Sequence, residues 1–448
     1  RCEDAVRLIR KDNPFPTACA LICEHPCEAR CRRNIIDDSI NIRGIKRYIV
    51  DNAPSNQVPV PECAPSTGKN IAIIGGLTAA YFLQLMGHHC TVFEEKQHLG
   101  GMLRYGIPNY RFPRERLQED IDAILATGVE VKMNQNIGTE EMKEIHKFYD
   151  ATYVAIGAHT DKKLGLEGED SKNVISAVDM LREIGDGKYP DYTGKRVVVV
   201  GGGNVAMDCA RTAIRANAET VSIVYRRRQE DMTALPAEVE GAVAEGIELV
   251  TLKAPLRVEA DAEGNACALW VQPQIIGPVR GGRPSPRKAN KPEERMECDI
   301  VLVAIGQDIV SQPFADFGLA TNWGRIVANE GGAANMVGVY AGGDCVSGPS
   351  TVIKAIAAGK AAAANIDEYL GCHHPISCDV AIPEPMLNDK VPCGRVNLQE
   401  VEAWARRTNF EAIELPMSCE EAEQEASRCL RCDHYGCATL RGGREFEW

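Results

Sequence analysis

Eighteen cysteines in 448 residues are the first chemistry this sequence offers, and they are unevenly placed. Cys19, Cys23, Cys27 and Cys31 recur at every fourth position near the start. Near the end Cys429-x2-Cys432-x4-Cys437 forms a second group, with Cys419, Cys393, Cys378 or His434 as candidates for a further ligand. Thiolates hold iron–sulfur clusters; zinc also takes four, usually as C-x2–4-C pairs separated by a longer loop. Four thiols at a spacing of four would line one face of a helix, but Pro26 argues against a continuous helix. A looped chain instead wraps several thiolates around iron, with Arg30, Arg32 and Arg33 moderating the charge. An iron–sulfur cluster is the favoured reading of the first group, against zinc or packing and disulfide cysteines. The second group reads as a cluster or zinc docking module, against free surface thiols. Cys2 and Cys63 have no useful spacing.

Phosphate binding is the second chemistry. In KRVVVVGGGNVAMDCARTAIRANAETVSIVYRRR (195–228) four valines suit a strand buried on both faces of a parallel sheet. Gly201, Gly203 and Ala206 follow in G-x-G-x-x-A spacing, then a helix opening at Asn204 and Val205 whose free N–H groups face a pyrophosphate. A second strand ends in Arg226, Arg227 and Arg228, a basic fork that suits the 2′-phosphate of NADP(H) rather than the ribose hydroxyl of NAD. A plain βαβ turn with a solvated strand end is the bland alternative.

A similar pattern runs from Lys69, KNIAIIGGLTAAYFLQLMGHHCTVFEE, with Glu94 as the acid for a ribose hydroxyl. Here Ile74 passes through Gly75 and Gly76 straight into a helix, about four residues short of the full glycine motif. The expectation is that residues are missing between the two glycines; the alternative is a degenerate site. A glycine-rich turn carrying Gly101, Leu103 and Arg104 follows, and far downstream a strand ends in Gly342, Gly343 and Asp344 before a small-residue helix that includes Thr351 at its approach. Small residues admit a bulky planar ligand, and Asp344 accepts from a hydroxyl; alone, the stretch would read as an Ala-rich core helix. Short strands ending in Gly157 and Gly306 mark where the chain leaves one dinucleotide domain and re-enters the other.

The elements that must position these groups follow. The fold class is α/β: two nested Rossmann-like domains, for FAD and NADP, with an N-terminal helical iron–sulfur domain and a Cys-rich C-terminal tail. Expected boundaries are 1–65, 66–169, 170–299, 300–371 and 372–448. A net charge of −13 argues against nucleic acid, no apolar run reaches membrane-span length, and no secretory signal opens the chain. Disulfide-rich secreted scaffolds are small and lack a nucleotide fold, so the cysteines point to a reducing cytoplasm. The chain opens on Arg1 rather than Met, which implies further residues upstream.

CALICEHPCEARC, VFEEKQHLGGMLRYGIPNYR, VVVVGGGNVAMDCARTA with IVYRRR, and GGDCVSGPSTVIKAIAAGKAAA together resemble the small (β) subunit of glutamate synthase and its relatives, over roughly residues 1–370. Those relatives include the large subunit of NADH-dependent ferredoxin:NADP oxidoreductase and other electron-bifurcating transhydrogenase subunits. The resemblance implies oxidation of NADPH at FAD and electron transfer through [4Fe–4S] clusters to partner subunits. It implies FAD contacts from Glu94, Gly101, Gly157 and Asp344, with Thr351 near the flavin ring. NADPH contacts would come from Gly203, Asn204, Arg226 and Arg227, and cluster ligands from Cys19, Cys23, Cys27 and Cys31. The family's upstream cysteine group, which completes a second cluster, is absent from this sequence. The tail resembles bifurcating and formate-dehydrogenase-associated relatives more than the standard glutamate synthase subunit. Hydride transfer to a flavin needs orientation and dryness rather than a general base, so none is nominated. Neither Cys209 nor Cys345 has a C-x-x-C partner, which argues against thiol reduction. A non-catalytic scaffold that holds clusters for another subunit is the reading from a different class.

Overall fold

The structure, a computed structural model, describes residues 1–384 and 390–432. Cys437 and His434 of the second cysteine group therefore lie outside the described residues.

Two parallel five-stranded sheets organise the chain. The first runs in the order Val339–Ala341, Ala151–Ala155, Asn70–Gly75, His89–Phe93, Glu130–Lys132. The second runs Val174–Ser176, Ile300–Val303, Arg196–Val200, Thr220–Tyr225, Glu248–Thr251. In each the central strand is a continuous apolar run: Ile71, Ala72 and Ile73, or Val197 to Val200, all buried. Helices cover both faces, so there is no polar face to alternate with. Both glycine turns leave the C-terminal ends of these central strands, where helix N-termini and exposed backbone meet.

Between the sheets, Thr160–Asp161 pairs antiparallel with Gln307–Asp308 just beyond Gly157 and Gly306, so the chain leaves and returns side by side. An antiparallel sheet of Lys253–Ala260, Ala266–Arg280, Arg283–Lys288 and Glu294–Glu297 is inserted in the second half. Nothing in the sequence reading anticipated it.

The N-terminal segment breaks where Pro26 requires. Helix Pro16–Leu21 carries Cys19 and helix Pro26–Ala29 carries Cys27, with His25 left-handed (φ 40°) between them. Asp120, wholly buried, accepts hydrogen bonds from the N–H groups of Thr17 (3.2 Å) and Ala18 (2.8 Å), satisfying donors that the first helix turn leaves free. The C-terminal extension then folds back over this segment. Buried Arg33 donates to the carbonyls of Val391 (2.7 Å) and Arg428 (3.1 Å) and pairs with Asp37. Arg428 reaches Asp37 and Glu425, and Glu425 accepts from the N–H groups of Asn41 and Val396. Arg395 joins Glu28 at 2.7 Å. The two cysteine-bearing ends thus form one body.

Candidate functional site

A cavity of about 570 Å³ opens at the C-terminal ends of the first sheet. Its floor is Gly75, Gly76 and the opening turn of helix Leu77–Leu85. The strand passes into the helix through these two glycines, both left-handed (φ 71° and 78°). A Cβ on Gly75 would lie 2.7 Å from the Ala155 carbonyl oxygen, and one on Gly76 would lie 2.8 Å from the Ala155 Cβ. Substituting Gly76→Ala adds left-handed strain of about 1–2 kcal/mol to that clash. The expected result is a marked drop in the flavin-to-protein ratio of the purified chain, with the second sheet's NADPH binding retained.

Glu94 lines the cavity just past the second strand, its carboxyl pushed up by burial against the opposing Lys96 N–H bond (2.8 Å). Gly101, Leu103, Gly157, Gly343, Asp344 and Thr351 also line it. Asp344 accepts from the Ser350 N–H at 3.1 Å, and burial raises its carboxyl. Gly101 (φ 51°) has open space where a side chain would stand. Arg104 is placed differently from the sequence reading: its Nε donates to the Gly185 carbonyl at 3.1 Å, away from the cavity. His159 was not anticipated; it lines the wall, and burial brings its imidazole down to about 4, so it stands neutral there.

The third wall is the surprise. Cys23, Glu24 and Pro26 of the cysteine segment face the same cavity as Asn204, Val205 and Asp208 of helix Asn204–Arg215. Glu24 Oε1 accepts from Asn204 Nδ2 at 3.1 Å, while Asn204 Oδ1 accepts from the Leu235 N–H at 2.9 Å. Asn204 therefore ties the second nucleotide turn to the cysteine loop.

At that second turn, Gly201 (φ 154°) lies against the Ala304 carbonyl oxygen, 2.3 Å from where a Cβ would be, and Gly203 precedes the helix. Gly306 (φ 134°) sits in the neighbouring crossover. The three arginines divide. Arg226 is exposed and, among the described residues, has no hydrogen-bond or ion-pair partner. Arg227 donates to the Pro284 carbonyl (2.8 Å), and Arg228 pairs with Asp231 (3.0 Å). Arg283, from the inserted sheet, joins them by donating to the Tyr225 hydroxyl (2.8 Å) and the Asp231 carbonyl (2.6 Å). No spacing in the sequence links it to a strand 58 residues earlier.

The cysteine segment shows a ligand-ready local geometry. Burial pushes the Cys19 thiol up to about 11 and raises that of Cys27, while Lys46 pulls both down and Cys23 acts on both. The His25 N–H points at Cys23 Sγ (3.4 Å). The same arrangement recurs at the other end, where left-handed Arg431 (φ 48°) directs its N–H to Cys429 Sγ (3.5 Å) within Cys429-x2-Cys432. A tetrahedral zinc would draw sulfurs to within about 3.8 Å. Among the described residues no three cysteine sulfurs lie within 4.8 Å of one another.

Residues 69–359 match the family model for pyridine nucleotide-disulphide oxidoreductases. The chain belongs to that family. Residues 1–58 match the model described as dihydropyrimidine dehydrogenase domain II, 4Fe-4S cluster. The NADPH-Fe(3+) oxidoreductase subunit beta of Geobacter sulfurreducens is 35% identical over 98% of this chain and 73% of its own length. The NADP(+)-dependent formate dehydrogenase subunit beta of Moorella thermoacetica is 35% identical over 99% of this chain and 69% of its own. The glutamate synthase [NADPH] small chain of Escherichia coli is 31% identical over 83% and 84%. The resemblance to the glutamate synthase small subunit family stands, and the chain is an FAD- and NADP-binding oxidoreductase with a [4Fe–4S] domain. Cys209 and Cys345 are buried in it, Cys345 Sγ lying against the carbonyls of Gly342 (3.2 Å) and Val154 (3.5 Å). No helix among the described residues is long and apolar enough to cross a membrane.

The residues present fit these groups. Two turns that tolerate no Cβ, a half-buried acid, Glu94, beyond the first strand pair and, beyond the second, an arginine without a partner among the described residues are the donor and acceptor set a dinucleotide requires.

Proposed function

We propose that this chain is the NADPH-oxidising subunit of a multi-subunit cytoplasmic oxidoreductase, of the electron-bifurcating transhydrogenase class, and that it hands single electrons to partner subunits. The observation that carries the reading is the shared cavity: flavin-site residues, the N-terminus of helix Asn204–Arg215 and the Cys23–Pro26 loop form its walls together. Entry from a hydride donor and exit toward thiolate-held iron are thereby adjacent. FAD supplies the conversion of a two-electron hydride into single electrons.

The chain's own residues bind, orient and exclude water. Gly75, Gly76 and the first N–H groups of helix Leu77–Leu85 would face the FAD pyrophosphate, Glu94 its ribose, and Asp344 and Thr351 the flavin end of the cavity. Gly201, Gly203, Asn204 and Val205 would face the NADPH pyrophosphate, and Arg226 with Arg227 the 2′-phosphate. Cys19, Cys23, Cys27 and Cys31 would hold the first cluster; Cys429, Cys432 and Cys437 would hold a further cluster or zinc. The subunit-beta relatives align over 98% and 99% of this chain and the glutamate synthase small chain over 83%, which supports an assembly other than glutamate synthase.

Anaerobic isolation of the complex, with flavin and iron analysis and identification of co-purifying chains, tests this. Ferredoxin- and NADH-handling partners are expected; a large amidotransferase partner would overturn the bifurcating assignment. Absence of FAD, with no bleaching by NADPH, would leave only the scaffold reading. Arg226→Ala should raise the KM for NADPH roughly 10- to 100-fold, the equivalent of losing one or two charge-assisted bonds, and leave that for NADH nearly unchanged. Equal losses for both nucleotides would show that Arg226 does not read the phosphate.

A further inference from the structure

At the opposite end of the first sheet from the cavity, three residues of unrelated sequence position meet. His88 immediately precedes strand His89–Phe93, Asp367 lies in helix Val352–Tyr369, and His374 is among the first residues of the C-terminal extension. We propose that they form a zinc site that fastens the extension to the base of this sheet.

The geometry is close to that of a three-ligand centre. His88 Nε2 and His374 Nδ1 each lie 2.8 Å from Asp367 Oδ1, and the three ligand atoms are all within 4.8 Å of one another. Zinc bonds of about 2.0–2.1 Å to imidazole and carboxylate would set ligand atoms roughly 3.3 Å apart, so an outward shift of about half an ångström admits the ion. Two imidazoles and one carboxylate form a donor set of the kind zinc takes with an open fourth position. The His374 side chain is 28% exposed, whereas those of His88 and Asp367 are 0% and 3%, so solvent reaches the site from one side only.

The surroundings of Asp367 favour an ion. Among the described residues the hydrogen bonds to its buried side chain come from His88 and His374 alone, including the His374 N–H on Oδ2 at 2.7 Å, and no Lys or Arg is bonded to it. A buried carboxylate with no Lys or Arg beside it is costly, and a divalent cation removes that cost. His88 is also oriented from behind. Its Nδ1 lies 2.8 Å from Thr67 Oγ1, and that hydroxyl has its own acceptor in the Gly87 carbonyl at 3.3 Å. A second hydrogen-bond partner that orients the ring is the usual support of a metal-binding histidine.

The test uses the full chain in its complex, equilibrated with ZnCl2, gel-filtered and analysed for zinc. His374→Gln, a change at the exposed member, is expected to lose about one zinc per chain with flavin content unchanged. The zinc X-ray absorption lost with it should show nitrogen and oxygen neighbours only, which separates this site from the cysteines. His374→Cys should restore the zinc with a single sulfur neighbour near 2.3 Å. Limited proteolysis beyond residue 374 should become at least about tenfold faster in His374→Gln than in the zinc-loaded parent. Equal zinc in parent and His374→Gln, or loss of a sulfur-only shell, would overturn the proposal and leave the three residues as a hydrogen-bonded clasp.

Discussion

Replacing Glu245 by glutamine should destabilise the chain by about 3–5 kcal/mol, because it leaves buried guanidinium groups without their counter-charge. Glu245 is fully buried and receives three arginines: Arg211 (2.6 Å) and Arg215 (2.6 Å) from helix Asn204–Arg215, and Arg406 (2.8 Å) from the C-terminal extension. Arg211 keeps Glu238 and Arg406 keeps Glu400, but among the described residues Arg215 has no other carboxylate, only the Arg211 carbonyl and the Tyr110 ring. Thermal melting of parent and Glu245→Gln measures the loss. Burial alone would raise the Glu245 carboxyl, but the Arg215 and Arg211 hydrogen bonds outweigh it and hold it at about 2.

A folded carboxyl held below its unfolded value stabilises at higher pH and releases that stability on acidification. The Glu245 contribution is complete above an unfolded value near 4.5 and lost as pH falls toward 2, on the order of 3 kcal/mol in all. The parent's melting temperature should therefore fall across this window more steeply than that of Glu245→Gln. Parallel acid limbs would show that the network, though buried, contributes nothing through this carboxylate.

Some of this architecture was legible in the sequence because it rests on local rules. Continuous β-branched runs ending in glycine, as at Val197–Gly201, can lie only at a sheet centre with a tight turn after it. Pro26 could only interrupt the cysteine helix. What stayed hidden joins residues far apart with no local signature. Arg33 and Arg428 have the look of solvated surface arginines, yet each is buried against a partner more than 350 residues away. Arg211 and Arg215 stand on the buried side of their helix because Glu245 meets them there. The Arg226–Arg228 run looked like one fork, but the inserted sheet claims Arg227 through the Pro284 carbonyl and adds Arg283. At Gly75-Gly76 two left-handed glycines carry the strand into its helix in fewer residues than the full motif uses.

Cys23 is where the two halves of the functional reading can be separated, and Cys23→Ser should break one while sparing the other. Its loop walls the cavity, its sulfur receives the His25 N–H, and it acts on both Cys19 and Cys27. A serine hydroxyl is nearly the same size but is a hard, protonated oxygen that does not replace a soft thiolate on iron. The variant should lose about four irons per chain relative to the parent, the content of one [4Fe–4S] cluster. Bleaching of the flavin by NADPH in a stopped-flow instrument should keep its rate within about threefold, because the nucleotide turns at Gly76 and Gly203 are untouched. Turnover with a one-electron acceptor that takes its electrons through the partner subunits should fall at least about 100-fold. Cys63→Ser, at an exposed cysteine that plays no part in the cavity wall, should leave both rates unchanged. If Cys23→Ser kept its iron and its one-electron turnover, the cavity wall would be structural and electrons would leave the flavin by another route.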